Sequence, residues 1–476
     1  MFWLTEENSA LAAFFTSGAE LYSFMILSAL HLQNKLSAVK EQPKQAMPIT
    51  GYQKLVIFLL AITSFTVILD FMIMSPMGDM LMKSMNLTTS KFGFAVSAYA
   101  FSAGISGLLT AGFADRYDRK KLLLFFYTGF IGGTVFCGLA HTYPMLLAAR
   151  IITGLFGGVI GSISMAIIAD LFPLQQRGRV LGFVQMGFGA SQVLGIPIGL
   201  YIANHWGWQA PFLMVAGLAA IIAILILARL KPLTAHLAAQ HDRSAFQHLY
   251  STVAKRNYRI GFLATALMSI GGFMMMPFGS AYAINNLKVT NEQLPLLFMV
   301  GGVSSLIIMP AVGKLSDKID KFKLFVVATI WMMVLVIVYT NLKSAPFGLI
   351  ILFNVLMMMG IMSRMIPSTA LVSAIPEMSD RGAFMSINAS LQQIAGGVAA
   401  AVAGMIVVQN DRFSPLQHYN TLGYVVVAVS LVCIFLLWRV KKVVAKKAAV
   451  KPPIPVVEEA IIAESGFGEL EERLTT

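Results

Sequence analysis

The chain alternates long apolar runs with short polar turns along most of its length. Twelve of these runs reach the roughly 20 residues that a helix needs to cross the hydrocarbon core of a bilayer. In chain order, the predicted spans 1 to 12 are 54–82, 91–112, 122–141, 144–171, 179–203, 210–229, 258–284, 293–313, 323–342, 346–375, 382–408 and 421–440. The runs are too long for membrane strands and lack their period-two alternation. The pattern therefore predicts an all-α polytopic membrane protein with twelve transmembrane helices.

A short, highly charged turn occurs twice in the chain. The first copy is AGFADRYDRKKLLL at 111–124 and the second is GKLSDKIDKFKLF at 313–325, with Asp115 and Asp317 separated by 202 positions. Each copy lies between two apolar runs, so we expect two pseudo-symmetric six-helix bundles. Internal duplication in a polytopic membrane protein is typical of transporters that rock one half against the other.

The runs and the duplication divide the chain into five segments. Residues 51–229 and 258–442 are the predicted bundles. The polar, basic stretch 230–257 is the predicted cytoplasmic linker, part of which suits an interfacial amphipathic helix. Residues 443–476 form a cytoplasmic tail whose composition cannot bury a core, so we expect it to be disordered. Residues 1–50 form an N-terminal extension.

Three interpretations of the extension remain open. It is an interfacial helix, an additional partial span, or the product of a start codon upstream of a true start at Met47. Residues 9–33 are fairly apolar, but Glu20 interrupts them and no signal-peptide cleavage site is evident. We favour an extension outside the twelve-helix core.

Composition agrees with a membrane protein and provides no starting point for catalysis. Hydrophobic residues make up 57% of the chain and charged residues 12%, whereas soluble domains carry about 25% charged residues. The two cysteines, Cys137 and Cys433, lie in apolar runs, and the histidines lack metal-ligand spacing, so neither a metal site nor a cofactor is predicted. The phosphate-binding, zinc-protease and serine-hydrolase motifs are absent, which argues against an enzyme with catalytic residues.

The net charge of +13 follows from where Lys and Arg fall along the chain. If the N-terminus lies inside, the outer loops hold few basic residues, namely Lys83, Lys91, Lys288, Lys343 and Arg412. The positive-inside rule then places both termini in the cytoplasm. The positive charge is therefore explained by the orientation of the chain in the membrane, and the predicted location is the plasma (inner) membrane. Nucleic acid is not an expected partner.

The charged turn resembles the signature loop between helices 2 and 3 of the major facilitator superfamily, Gly-x-Leu-Ala-Asp-Arg-x-Gly-Arg-Lys. The positions that match are Asp115, Arg116, Arg119 and Lys120, whereas Ala111 and Asp118 replace the two glycines. Arg150-x-x-x-Gly154 resembles the helix 4 motif of the superfamily. LGIPIG at 194–199 resembles the helix 5 Gly-Pro element of exporters, although Ile196 separates Gly195 from Pro197. Leu69-Asp70 in helix 1 resembles the Leu-Asp of proton-coupled drug and sugar efflux members. The resemblance covers about residues 51–440.

This resemblance implies a monomeric secondary active transporter that works by alternating access. The favoured function is proton-coupled efflux, or antiport, of a small organic solute such as a drug or sugar. An uptake symporter of the same fold is the alternative, because hydrophobic periodicity does not depend on transport direction. A membrane sensor or channel fits the duplication less well. The expected partners are the solute, the proton and the lipid bilayer.

Asp70 in span 1 is predicted to be the principal proton-coupling group. It lies 16 residues after Lys54 and 13 before Lys83, so at about 1.5 Å per residue it is near the middle of the bilayer. Acids at such depth usually face the bundle interior and mark a proton or substrate path. A static, paired structural acid is the alternative. The resemblance implies that Arg150 approaches Asp70. Arg150 is therefore a second predicted proton-coupling residue, with a static structural pairing as the alternative.

Arg364 in span 10 has no charged counterpart in the first half. At that depth it must face a cavity or pair with an acid. It could bind an anionic or hydroxyl-rich substrate, gate against Asp70, or satisfy helix carbonyls beside Pro367. Further polar positions form a predicted substrate cavity with it, namely Thr66, Tyr99, Gln185, Gln192, Asn354 and Gln393. Each alone is more typical of an interhelical hydrogen bond.

The charged turns are also predicted to form a latch at the inner end. Asp115 would lie near the start of span 11, whose N-terminal dipole favours an anion. The resemblance suggests that Arg119 pairs with Asp170. Three further positions of the two turns belong to this predicted latch, namely Arg116, Asp317 and Lys318. The alternative is that these charges only set the topology.

Overall fold

The protein is described by a computed structural model over residues 49–110, 117–234, 237, 245–377 and 380–450. Nearly all of this described part is helical. Its spans 1 to 6 are Gly51–Ile73, Thr89–Thr110, Arg119–Gly138, Tyr143–Leu171, Gln176–Trp206 and Ala210–Arg229. Its spans 7 to 12 are Arg256–Asn285, Leu294–Lys318, Lys321–Thr340, Phe347–Ser373, Arg381–Ile406 and Tyr419–Lys447. The prediction of an all-α protein with twelve membrane spans is confirmed, and every span starts within three residues of its predicted start.

Spans 1 and 7 are interrupted at equivalent places. Span 1 ends at Ile73, and after a turn containing Pro76 a second helix runs over Gly78–Met85. In span 7 a 3-10 turn containing Pro277 precedes a short helix at Gly279–Asn285. Proline has no backbone N–H to donate and clashes with the preceding turn, which accounts for both breaks. The single helix predicted for the first run is therefore two helices in the structure.

Span 5 has a different irregularity, a π-helical segment at Ser191–Gly195. It lies directly before Ile196–Trp206, a helix with Pro197 in its first turn. Gly195 packs closely on span 1, because a Cβ there would lie 2.7 Å from Leu69 Cδ1. The segment thus brings the span 5 backbone beside the residue that precedes Asp70. Single π turns in α-helices are frequent at functional sites.

Spans 2 and 11 join the two bundles through small residues. A Cβ on Gly93 would lie 2.7 Å from the carbonyl oxygen of Ala400, so the two backbones are nearly in contact. Ser97 Oγ donates to the carbonyl oxygen of Gly397 at 2.8 Å. In a bilayer the hydrophobic effect does not drive helices together. Helices associate there through close packing of small residues and through interhelical hydrogen bonds.

The predicted linker contains one described helix, Ala245–Ala254. At the other end, the helix of span 12 continues to Val450, eight residues beyond the predicted bundle limit of 442. The predictions for residues 1–48 and 451–476 lie outside the described residues. The five segment limits therefore stay predictions.

Candidate functional site

The centre of the first bundle holds a buried ion pair. Arg150 Nη1 donates to Asp70 Oδ2 at 2.9 Å, and both side chains are 0% exposed. Thr134 Oγ1 donates to the other carboxylate oxygen of Asp70 at 3.2 Å. The carboxylate therefore links span 1 to spans 3 and 4. The proximity of Arg150 to Asp70 that the resemblance implied is present, while the proton-coupling role stays a prediction.

Arg150 uses only part of its hydrogen-bonding capacity. Its guanidinium carbon lies 4.5 Å from the centroid of the Tyr99 ring, a cation–π geometry. Its Nε and Nη2 are buried without a hydrogen-bond partner among the described residues. The contact with Asp70 is thus made through one nitrogen rather than by the stronger two-nitrogen fork. This contact is therefore weaker than the strongest one that an arginine and a carboxylate can form.

Glycines in span 4 allow this arrangement. A Cβ on Gly154 would collide with the carbonyl oxygen of Tyr99, and a Cβ on Gly157 would lie 2.8 Å from the Tyr99 hydroxyl. Spans 2 and 4 can therefore approach closely enough for Arg150, one helical turn before Gly154, to meet the Tyr99 ring. The Arg150-x-x-x-Gly154 pattern consequently has a local structural reason.

Two of the predicted cavity residues lie inside the first bundle. Thr66 is buried and its hydroxyl is 2.8 Å from that of Tyr127, which joins spans 1 and 3. Tyr99 is 2% exposed and contacts Arg150 as described. The structure therefore brings Tyr99, but not Thr66, directly against the ion pair.

The remaining predicted cavity residues are more open. Gln185 is exposed, and Gln192, Asn354 and Gln393 are half-buried. Gln192 lies where spans 5 and 8 cross, because a Cβ on Gly302 would be 2.9 Å from its carbonyl carbon. The Oδ1 of Asn354 is buried without a hydrogen-bond partner among the described residues. These residues form no single cluster around Asp70.

Arg364 lies inside the second bundle and is 7% exposed. Its Nη2 donates to Ser430 Oγ at 3.3 Å and approaches Met268 Sδ at 3.9 Å. The guanidinium carbon is 5.9 Å from the centroid of the Phe325 ring, and Nε is buried without a described partner. Arg364 thus contacts spans 7, 9 and 12 of its own bundle. The predicted gate between Arg364 and Asp70 is not formed in this conformation, because the contacts of Asp70 are with spans 3 and 4.

The predicted latch is only partly described. Asp115 and Arg116 lie outside the described residues. Arg119 Nε is 3.3 Å from Asp170 Oδ2, the pairing that the resemblance suggested. Asp317 and Lys318 are exposed. Whether this end of the molecule acts as a latch stays a prediction.

A polar cluster that was not predicted from the sequence lies between the broken outer segments of spans 1 and 7. Lys83 Nζ is 2.8 Å from Asp79 Oδ2 and donates to Asn285 Oδ1 at 3.1 Å, while the Asn285 amide donates to Asp79 Oδ1. Asp79 is 3% exposed. Lys83 and Asn285 are 202 positions apart, the offset of the duplicated turns. This offset was the one sequence signal for the contact, because residues at equivalent positions of two duplicated halves can lie close together near the pseudo-two-fold axis that relates the halves.

Other bonds close the same end of the molecule, which is the predicted outer end. Ser280 Oγ donates to the carbonyl oxygen of Ser75 at 2.8 Å, and Thr89 Oγ1 to that of Val407 at 2.6 Å. Arg412 Nε donates to Asn86 Oδ1 at 2.9 Å. The two bundles are therefore joined by hydrogen bonds across their predicted outer ends.

Comparison with known proteins agrees with this architecture. The family model of the Major Facilitator Superfamily (MFS) matches residues 60–363 and 261–467. The "Uncharacterized MFS-type transporter YbcL" of Bacillus subtilis (strain 168) is 25% identical over 382 residues, which are 80% of this chain and 95% of that protein. The "Probable sugar efflux transporter" of Helicobacter pylori (strain G27) is 25% identical over 276 residues, 57% of this chain and 69% of that protein.

Solved structures show the same fold. That of a D-xylose-proton symporter matches with a TM-score of 0.68 at 18% identity, covering 82% of this chain and 98% of that one. A bacterial homologue of the human lysosomal transporter Spinster, in an inward-facing and unoccupied conformation, matches with a TM-score of 0.67 at 14% identity, over 83% and 98%. The matched proteins are transporters rather than enzymes. With the family match extending over most of its length, the chain belongs to the Major Facilitator Superfamily of multi-pass membrane transporters.

Proposed function

We propose that the protein exports a small organic solute, such as a drug or sugar, in exchange for protons across the plasma (inner) membrane. The observation that carries the proposal is the fully buried Asp70–Arg150 pair, which links spans 1, 3 and 4. The likeness to a sugar efflux transporter and the Leu69-Asp70 and LGIPIG elements support export. The protein would act as a monomer with both termini in the cytoplasm.

Proton binding to Asp70 would change the energy of this pair. Removing one partner of a buried ion pair costs about 3–5 kcal/mol, because the other charge is left uncompensated. A proton on Asp70 removes the negative charge, so the Nη1 group of Arg150 would lose its carboxylate acceptor and the guanidinium would be left without a compensating charge. The protonated and deprotonated bundles would therefore favour different packing of span 1. Such a difference is what a proton needs in order to shift a conformational equilibrium.

The two ends of the molecule would then open in turn. We assign closure of the predicted outer end to the cluster of Asp79, Lys83 and Asn285, and closure of the inner end to a latch that includes Arg119 and Asp170. The first cluster is formed in this structure with partners from both bundles. Opening of the outer end would separate Asn285 from Asp79 and leave the Asp79–Lys83 pair to water.

Substrate recognition is assigned to the polar groups of spans 5, 10 and 11. Gln192, Asn354 and Gln393 are half-buried, so they retain surface that a solute could contact. The Oδ1 of Asn354 is a hydrogen-bond acceptor without a donor among the described residues. Arg364 would add a positive charge behind this surface and favour oxygen-rich solutes.

The test uses purified protein in proteoliposomes with the pH-sensitive dye pyranine trapped inside. Sugars and drugs are added outside one at a time. Antiport predicts that an accepted solute makes the lumen more alkaline, because protons leave as the solute enters. Acidification by the same solute would instead favour the uptake symporter of the same fold.

Asp70→Asn tests the coupling residue. We expect it to abolish the solute-dependent pH signal while solute binding, measured by a shift in thermal unfolding, persists. Asp411→Asn is the matched control, because Asp411 is an exposed loop acid. A wild-type pH signal from Asp70→Asn would contradict the proposed role.

A further inference from the structure

Spans 9 and 12 form a groove on the outside of the second bundle. The groove has a volume of about 410 Å³ and is lined by Phe322, Leu431, Ile434, Phe435 and Trp438. All five side chains are apolar or aromatic, and Leu431 and Phe435 are more than half exposed. In a bilayer this surface meets acyl chains, which makes it a place for a lipid rather than for a polar solute.

The same face of span 12 turns basic at its end. Leu431, Phe435 and Trp438 are separated by four and three positions and therefore share a helix face. Continuing along that face leads to Arg439, Lys442 and Lys446. The helix is continuous to Val450, so it carries these three side chains past the apolar groove. Aromatic residues followed by basic ones mark the level at which lipid headgroups lie.

These three basic residues have no carboxylate partner among the described residues. Lys442 Nζ lies 3.6 Å from the centroid of the Trp438 ring, and the guanidinium carbon of Arg439 is 5.8 Å from that of Phe435. Arg439, Lys442 and Lys446 are exposed. Their charges are therefore directed along the groove and remain available to an anion.

Two neighbouring lysines on the same helix contact polar groups of the protein. Lys441 Nζ is 2.9 Å from Asp320 Oδ2. Lys447 Nζ donates to the carbonyl oxygens of Ile375 and Pro376 at 3.0 and 2.6 Å. Lys441, whose Nζ also lies 5.5 Å from the centroid of the groove-lining Phe322 ring, is thus neutralised by Asp320, and Lys447 is hydrogen-bonded to the protein. Lys442 and Lys446 have no such partner among the described residues.

The equivalent helix of the first bundle lacks this arrangement. Span 6 ends at Arg229, and the nearby Lys231 lies over the Tyr52 ring at 5.3 Å. Span 6 carries one exposed basic residue, Arg229, in its last turn and its helix ends there, whereas the helix of span 12 continues past Arg439, Lys442 and Lys446. The groove with its basic rim therefore belongs to the second bundle rather than to the duplicated architecture.

We propose that this groove binds an anionic phospholipid. One acyl chain would lie against Phe322, Phe435 and Trp438, and the headgroup phosphate would contact Arg439, Lys442 and Lys446. Apolar lining and adjacent uncompensated cations together match the two halves of such a lipid. The inference does not depend on the proposed transport function or on which end of the molecule faces the cytoplasm.

Native mass spectrometry of the full chain in detergent tests the site. The probes are phosphatidylglycerol and phosphatidylcholine with identical acyl chains. We expect the wild-type protein to bind phosphatidylglycerol more tightly. Removing one basic residue near a headgroup weakens binding about fivefold, so Lys442→Gln with Lys446→Gln should weaken phosphatidylglycerol binding by at least about tenfold and leave phosphatidylcholine binding unchanged.

A matched control removes two positive charges elsewhere at the same end. Lys314 and Lys323 are exposed and lie outside the groove. Lys314→Gln with Lys323→Gln should bind phosphatidylglycerol as the wild-type protein does. Glycerol 3-phosphate at the same concentration should not displace the lipid, because it lacks acyl chains; displacement would show a plain phosphate site and overturn the lipid assignment. Equal binding of the two lipids, or equal loss in both double variants, would also overturn it.

Discussion

The interiors of the two bundles differ in whether their central buried charges are paired. Among the buried charged side chains of the described residues, Asp70, Asp79, Arg119, Arg150 and Asp380 each have an ion-pair partner, and Arg364 does not. The first bundle therefore contains a compensated centre and the second a lone cation held by a hydroxyl, a thioether and an aromatic ring. Duplication preserved the helices, but the buried chemistry of the two halves diverged.

The largest expected effect comes from removing each arginine in turn. Arg150→Met should destabilise the protein by about 3–5 kcal/mol, because Asp70 is left buried and unpaired. Arg364→Met should be neutral or stabilising, since no buried acid loses a partner and a flexible apolar side chain replaces an under-bonded guanidinium. Reversible unfolding of the purified variants in detergent with increasing denaturant measures both.

A second variant separates loss of charge pairing from loss of packing at Arg150. Asp70→Asn combined with Arg150→Met removes both charges, so most of the stability lost in Arg150→Met should return. If Arg364→Met loses as much stability as Arg150→Met, the contrast between the two bundles is wrong.

The outer cluster, where the two bundles meet, should respond with a shift in conformation. The first bundle supplies the charges of Asp79 and Lys83, and the second supplies the neutral Asn285. Asp79→Asn should weaken closure, because the Asn285 amide of the second bundle would then donate to a neutral amide oxygen instead of to a carboxylate. The reporter is a cysteine at Ser280, which is 1% exposed. Ser280→Cys alters the bond to Ser75 in every variant, so the reference is Ser280→Cys alone, and adding Asp79→Asn should make this cysteine react several-fold faster with a membrane-impermeant maleimide.

The exposed loop acid Asp411 again provides the control for that experiment. Asp411→Asn in the Ser280→Cys background should leave the reaction rate unchanged. An unchanged rate in the Asp79→Asn background as well would show that the cluster does not hold the outer end closed.

The smallest effect concerns two helix caps that are equivalent under the duplication. Asp118 accepts from the backbone N–H groups of Lys120 and Leu233, while Asp320 accepts from that of Lys323 and from Lys441 Nζ. The hydrogen bond from Lys441 Nζ, together with that backbone bond, lowers the pKa of Asp320 below its usual value. Because the pair is exposed, Asp320→Asn should cost only about 0.2–1 kcal/mol.

The pH dependence of that small contribution has a definite sign. A folded-state pKa below the unfolded one means that the stabilisation is fully present above the unfolded pKa and is lost as the pH falls through the folded pKa. Unfolding curves from pH 7 downwards should therefore converge for the wild-type protein and Asp320→Asn in acid. A constant difference between the two proteins down to pH 2 would contradict this origin.

The sequence predicted the number and order of the spans because an apolar run of membrane length is a strong, local signal. It did not predict the breaks in spans 1 and 7, because the interrupting turn at 74–77 is only four residues long and is flanked by methionines, too short a stretch to divide a long apolar run. Pro76 and Pro277, nearly coincident under the duplication, were the evidence for those breaks. Helix interruption depends on backbone hydrogen bonds, which hydropathy does not describe.

The candidate site was predictable only in part. The resemblance supplied the pairing of Asp70 with Arg150, which the structure contains, although the function of that pair still awaits measurement. The direction of the Arg364 side chain was not predictable, because it depends on how spans 7, 9 and 12 pack around it. Asp79 was missed because a single acid at the end of an apolar run does not itself indicate a partner 206 positions away; the only signal was the 202-position offset between Lys83 and Asn285.

The lone charge of Arg364 would also feel the membrane voltage wherever a movement of the second bundle carried it through the field. One elementary charge moved across the whole membrane field at 100 mV changes in energy by about 2.3 kcal/mol. The Asp70–Arg150 pair is neutral as a unit and feels almost no such force while it is intact. A tilt of the second bundle that carries Arg364 through part of the field is therefore biased by the electrical gradient, even when the chemical gradients of proton and solute are balanced.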